Sequence, residues 1–92
     1  LWQAAALGLI DRVTAECEGD PVPDARAVTN AFWHACRGGQ AEVAASLLAR
    51  GADHNWVGHD QKTPMDVARE SGATDLVEWL ASVGGRGSRS QS

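Results

Sequence analysis

Apolar and polar positions repeat along this chain with a period of 33 residues. Residues 30–39 and 63–72 share a polar first residue, an early apolar pair, an alanine five residues after the first, and a glycine nine residues after it. A second amphipathic run follows each glycine, over residues 41–48 and 74–80, with apolar residues at the i, i+4 spacing of one helix face. This pattern predicts stacked helix–turn–helix units.

An earlier and partial copy of the unit begins the chain. Residues 1–8 end in Gly8, which lies 31 residues before Gly39, and residues 9–17 form the second run. After residue 83 the composition changes to Gly, Ser and Arg without apolar residues, which predicts a flexible tail. The expected organisation is three units at about 1–29, 30–62 and 63–83, followed by the tail at 84–92.

Helix start and stop signals agree with this organisation. Thr63 can cap a helix, Pro64 suits the first helical position, and Asp66 lies at the capping-box spacing from Thr63. Asn30 is the corresponding predicted N-cap of the unit before it. The first helices are expected to end at glycines, which permit the positive φ of a chain reversal, namely Gly8, Gly39 and Gly72.

Two motifs within these units resemble the ankyrin repeat family. Residues 63–72 match its first-helix pattern, Thr-Pro-Met-Asp-x-Ala-x-x-x-Gly, and residues 47–55 match the end of its repeat, Leu-Leu-x-x-Gly-Ala-Asp-x-Asn. The resemblance covers residues 1–83. It implies an all-α solenoid of antiparallel helix pairs joined by finger-like hairpin loops, and a non-catalytic module that binds a protein partner.

The chain departs from the family's pattern at several positions. The family's histidine is replaced in the three units by Trp2, Trp33 and Asp66, so its hydrogen bonds between repeats are not expected here. The connection 19–29 lacks the Gly-Ala-Asp-x-Asn motif and contains two prolines, which predicts an irregular connector. Gln61 stands where the family has a turn glycine.

The resemblance places partner binding on the finger loops and on the exposed side of the first helices. These positions leave the repeat core free and point the same way from every copy. Trp56, at the base of a finger loop, is expected to pack in the seam between units, and its alternative role is an exposed aromatic anchor for the partner. The other expected partner-binding residues are Arg26, Thr29, Arg37, Val57, His59, Asp60, Lys62, Glu70 and Ser71.

The stretch 51–60, GADHNWVGHD, raises the alternative of a metal or catalytic site. Its Gly, Asp and Asn residues suit turns. Zinc needs three or four convergent ligands, and the nearest further candidates to His54 and His59 are His34 and Cys36 on a neighbouring helix. His34 and Cys36 are two residues apart on a predicted helix, so their side chains point to different faces. We therefore expect no catalytic residue, no metal and no cofactor.

The composition argues against several further classes of function. The net charge is −4 and the eight basic residues form no basic stripe in the sequence, which argues against nucleic-acid binding. No apolar run is long enough to span a membrane. Two cysteines, Cys17 and Cys36, give no disulfide framework and favour inert buried thiols in a reduced, cytoplasmic protein. The excess of Arg over Lys is typical of a high-GC, bacterial genome.

The first unit suggests a different function. Leu1, Leu7, Leu9 and Ile10 are apolar there, although terminal repeats normally present a polar face. We expect further repeats or another domain to precede Leu1. The alternative function is a structural segment that caps or oligomerises a larger protein, for which substitutions at this apolar start would matter more than those on the finger loops.

Overall fold

Six helices, and no strand, form from the residues that the computed structural model describes, which are 1–19, 22–53, 56–58 and 61–83. The chain is therefore all-α over these residues, as the period predicts. None of the described helices is long and apolar enough to cross a bilayer. The helices are α1 (Trp2–Leu7), α2 (Ile10–Cys17), α3 (Ala25–Arg37), α4 (Ala41–Ala49), α5 (Pro64–Glu70) and α6 (Thr74–Ser82).

The helices pack as pairs, and we call the first helices (α1, α3 and α5) the first row and the second helices (α2, α4 and α6) the second row. α1 packs against α3 and α3 against α5, so the first helices of the three pairs form one row. α2 packs against α4 on the other side. Each first helix also contacts the second helix of its own pair. This arrangement places α3 at the centre of the molecule, in contact with α1, α4 and α5.

The core lies between the two rows, and α3 supplies much of it. Phe32 and Trp33 are its largest buried side chains, and Leu47, Leu76 and Leu80 reach the core from the second helices. Each such side chain contributes roughly 1.5–3 kcal/mol when fully removed from water. The small buried residues of α1, α3 and α5, which include Ala4, Ala31, Ala35 and Ala68, allow neighbouring helices to approach closely.

The predicted helix ends are confirmed at four positions. The Thr63 hydroxyl accepts a hydrogen bond from the Asp66 amide at 3.2 Å, the Asp66 carboxylate accepts from the Thr63 amide at 3.0 Å, and Pro64 opens α5. Together these contacts form the expected capping box. The chain reverses with positive φ after each first helix, with values of 75° at Gly8, 71° at Gly39 and 77° at Gly72.

The predicted start of α3 at Asn30 is wrong. The helix begins at Ala25, and Asn30 lies in its middle. Asp24 is the N-cap, and its Oδ1 accepts a hydrogen bond from the Ala27 amide at 2.8 Å. The irregular connector expected over 19–29 therefore ends before Ala25. The physical reason is that Asp24 is a strong cap and that no Gly or Pro interrupts the five residues after it.

The loop between α4 and α5, here called the finger loop (residues 52–62), turns back on itself near its tip. The Gly58 amide donates to the Lys62 carbonyl at 2.8 Å, and the Gln61 amide donates to the Gly58 carbonyl at 3.2 Å. Gln61 has a φ of 59°, in the left-handed region that glycine adopts most easily. The position thus has the backbone of a turn glycine although its residue is glutamine.

Candidate functional site

Basic and amide side chains line one side of α3. Arg26, Asn30 and Arg37 are spaced by four and seven residues, which places them within about 40° of one another around the helix axis. Both arginines are exposed and Asn30 is partly exposed, and His34 lies beside them. We call Arg26, Asn30, His34 and Arg37 the α3 stripe. Because α3 contains no acidic residue, the stripe is cationic.

A row of four rings crosses the first-helix side of the molecule. The ring centroids of Trp2 and His34 are 4.6 Å apart, those of His34 and Trp33 are 5.0 Å apart, and those of Trp33 and Trp56 are 6.4 Å apart. Aromatic pairs at such separations contribute roughly 0.5–1.5 kcal/mol beyond their buried area. This aromatic row connects α1, α3 and the finger loop into one surface.

The finger loop is held against α3 by Trp33. The buried Trp33 indole donates from Nε1 to the Lys62 carbonyl at 2.8 Å. At Gly58 the loop backbone approaches two rings so closely that an added Cβ would lie 2.7 Å from Trp33 Nε1 and 2.7 Å from Trp56 Cζ3. Trp56 thus packs in the seam between the loop and α3, and part of its ring stays exposed.

An open depression of about 440 Å³ lies beside the aromatic row, lined by Trp2, Asn30, His34 and Arg37. The Arg37 guanidinium carbon is 5.9 Å from the centroid of the Trp33 ring, a distance at which a cation is attracted to the ring face. The depression therefore offers an aromatic wall, an amide and an oriented guanidinium. These groups can take an apolar side chain together with an acceptor such as a carboxylate.

Besides Trp56, four expected partner-binding residues that the structure describes lie on the finger loop and the end of α5. Val57 is 55% exposed, which makes it an apolar contact point on the loop. Lys62 Nζ and Glu70 Oε2 form an ion pair at 2.7 Å, so their charges largely compensate each other. Ser71 closes the end of α5, where its hydroxyl donates to the Ala68 carbonyl at 2.9 Å.

Thr29 does not have the exposed position that the sequence suggested. Its side chain is buried, and its Oγ1 accepts a hydrogen bond from the Asp53 amide at 3.0 Å. The reason is that α3 extends past this residue, so Thr29 faces the start of the finger loop and fastens it. His59 and Asp60 lie outside the described residues.

Both cysteines, Cys17 and Cys36, lie in the core. Burial raises the pKa of the Cys36 thiol from 9.0 to about 12, so the thiol keeps its proton at neutral pH. Cys17 is also buried. Within the described part of the chain, no three His, Cys, Asp or Glu side chains are grouped as metal ligands would be. His54 and His59 lie outside that part.

No protein-family model matches the chain. Its function is therefore inferred from the surface itself.

Sequence reasoning missed three residues of this surface, namely Trp2, Asn30 and His34. Their side chains line the depression with Arg37. The spacing of Arg26, Asn30 and Arg37 could have indicated this surface. It places the three residues on one helix face only if α3 begins at Ala25. Trp2 could not be found in this way, because it reaches His34 only through the packing of α1 on α3.

Proposed function

We propose that this chain is an ankyrin-type repeat array that binds a protein partner without catalysing a reaction. The two rows of helix pairs, the glycine reversals and the Thr63–Asp66 capping box support the repeat assignment. The partner is bound by the α3 stripe, the exposed edge of the aromatic row and Val57 on the finger loop.

The observation that carries this proposal is the depression walled by Trp2 and Arg37. Tryptophan and arginine are enriched among the residues that dominate binding energies at protein interfaces. Here they lie in one depression with polar groups beside them, and Trp2 is 45% exposed. The Trp2 ring lies against the His34 ring, with centroids 4.6 Å apart, and the Arg37 guanidinium carbon lies 5.9 Å from the centroid of the Trp33 ring, so both side chains already have aromatic neighbours.

Affinity capture with matched variants tests the proposal. The baits are the unaltered chain, a Trp2→Ala/Arg37→Ala variant, and an Arg69→Ala control. Arg69 is also exposed, but it lines a different depression, beside Val77 of α6. We expect retention of the partner to fall about tenfold or more for the double variant and to stay unchanged for the control. Equal retention by all three folded baits would place binding elsewhere.

A second candidate function, self-association or capping through the first unit, is favoured by one observation. Leu7 is 70% exposed and Leu9 is 45% exposed, and both line a depression of about 200 Å³ with Leu1 and Arg12. Adjoining exposed apolar side chains mark interaction sites. Sedimentation velocity of the chain and of a Leu7→Glu/Leu9→Glu variant tests it: oligomers that the variant loses would favour this candidate, and a monomer in both cases would count against self-association.

A further inference from the structure

The two rows of helices differ in charge. The acidic residues of the second helices are Asp11, Glu16, Glu42, Asp75 and Glu78, and the single basic residue there is Arg12. Neither α1 nor α3 contains an acidic residue. In a chain with a net charge of −4, the central helix of the first row thus carries no carboxylate beyond that of its N-cap, Asp24.

The acidic residues of the remaining first helix, α5, already have partners. Asp66 belongs to the capping box with Thr63, and Glu70 pairs with Lys62 at 2.7 Å. These contacts direct both carboxylates to groups of the chain itself. The electrostatic character of the α3 stripe is therefore set by Arg26 and Arg37.

Arg26 and Arg37 form no ion pair with a described residue, and the same holds for Arg69, which donates a hydrogen bond to Met65 Sδ. Arg12, Arg50 and Lys62 each pair with a glutamate, at 3.7, 3.3 and 2.7 Å. Arg37 instead contacts the face of the Trp33 ring. Both guanidiniums are exposed and can each donate two parallel hydrogen bonds to a carboxylate.

The separation of the two arginines defines the spacing that a ligand must match. Eleven residues of helix place their Cα atoms about 16 Å apart along the axis and within about 20° around it. An extended peptide advances about 3.3 Å per residue and its side chains alternate between two faces, so carboxylates four or six residues apart share a face and span about 13 or about 20 Å, on either side of this distance. Asn30 lies between the arginines and can hydrogen-bond the peptide backbone.

We propose that the α3 stripe binds an extended acidic segment of a partner protein. The segment carries two carboxylates four or six residues apart, for Arg26 and Arg37, and an apolar side chain beside the second carboxylate that enters the depression walled by Trp2. This inference rests on the proposed function and adds the chemical class of the partner. Nucleic acid fits less well, because two arginines neutralise only two phosphates and the second row is acidic.

A displayed library of random peptides, selected on the immobilised chain, tests the inference. The selected peptides are synthesised with a fluorescent label, and their affinities are measured by anisotropy for four proteins: the unaltered chain, Arg26→Gln/Arg37→Gln, Trp2→Ala, and the Arg69→Gln control. We expect the selected peptides to share two acidic residues four or six positions apart. We expect about a tenfold loss of affinity with the double variant, a similar loss with Trp2→Ala, and no change with the control.

Two further measurements complete the test: the salt dependence of peptide affinity, and the affinity of the chain for a single-stranded DNA oligonucleotide. Affinity should fall when salt rises from about 0.01 M to about 1 M, because the Debye length shortens from about 30 Å to about 3 Å. Selected peptides that need Trp2 but lack acidic residues would overturn the inference and leave the proposed function standing. Selected peptides whose affinity changes with neither variant would overturn both the inference and the proposed function. A selection without enrichment over an empty support would do the same. Tighter binding of a single-stranded DNA oligonucleotide than of the peptides would also overturn the inference.

Discussion

The Trp33 indole donates a hydrogen bond from Nε1 to the Lys62 carbonyl, 29 residues later in the chain, at 2.8 Å. The same carbonyl accepts from the Gly58 amide at 2.8 Å. The Lys62 carbonyl oxygen therefore links the centre of α3 to two positions of the finger loop, Gly58 and Lys62 itself. The loop residues proposed to contact a partner are held in place by this buried ring.

Replacing Trp33 by Phe should destabilise the chain and loosen the finger loop. The substitution removes the indole donor and part of a buried ring, and we expect the free energy of unfolding to fall by about 1–3 kcal/mol. Urea unfolding measures the loss. Trp79→Phe is the control, because that half-buried indole makes no hydrogen bond with the described residues and its replacement should cost less. Equal losses would mean that the Trp33 hydrogen bond is unimportant.

Gly58→Ala should displace the aromatic row by steric contact. Its Cβ would lie 2.7 Å from atoms of Trp33 and Trp56, and the half-buried Trp56 has the freedom to move. We expect altered near-ultraviolet circular dichroism and a red-shifted tryptophan emission, with a loss of roughly 1–3 kcal/mol in stability. Gly72→Ala separates this effect from backbone strain, because its Cβ would meet no atom within 4 Å although its φ is 77°. An unchanged spectrum for Gly58→Ala would contradict the close approach.

Gln61→Gly should stabilise the chain slightly. A non-glycine residue in the left-handed region costs roughly 1–2 kcal/mol, and glycine removes that cost while adding roughly 0.5–1 kcal/mol of backbone entropy loss. The expected gain is up to about 1 kcal/mol in urea unfolding. Gln61→Ala keeps the strain and should show no gain. A loss of stability for Gln61→Gly would show that the glutamine side chain contributes a contact that outweighs the strain.

The burial of Cys36 should make stability depend on pH in the alkaline range. Below pH 9.0 the thiol is protonated in both states, and its contribution does not change with pH. Between 9.0 and about 12 the unfolded chain loses the proton that the folded chain keeps, so the free energy of unfolding falls as pH rises. The slope attributable to one such group approaches about 1.4 kcal/mol per pH unit.

Comparison with Cys36→Ala isolates this contribution. The variant loses some packing at every pH, but it has no thiol to ionise. Urea unfolding at neutral pH and at about pH 10 should therefore show a steeper alkaline loss for the unaltered chain than for the variant. Parallel pH profiles would mean that Cys36 does not titrate differently in the two states.

The boundaries of α3 show where local sequence signals were sufficient and where they were not. Thr63, Pro64 and Asp66 identified the start of α5 because all the contacts of a capping box lie within four residues. The same reasoning predicts Asn30 as the N-cap of α3, although the side chain of Asp24 is equally suited to capping. Two candidate caps were present, and the choice between them depended on whether residues 25–29 could pack as helix, which Val28 does in the core.

Amphipathic spacing, caps and glycines act over a few neighbouring residues, and they were enough to predict the helix pairs, their period and their reversals. Which side chains form the candidate surface depends instead on tertiary packing. Trp2 meets His34 through the packing of α1 on α3, Trp33 meets Trp56 of the finger loop, and Thr29 is buried by the same packing. These contacts join residues more than 20 positions apart, and no local pattern specifies them, since their geometry follows from how whole helices pack.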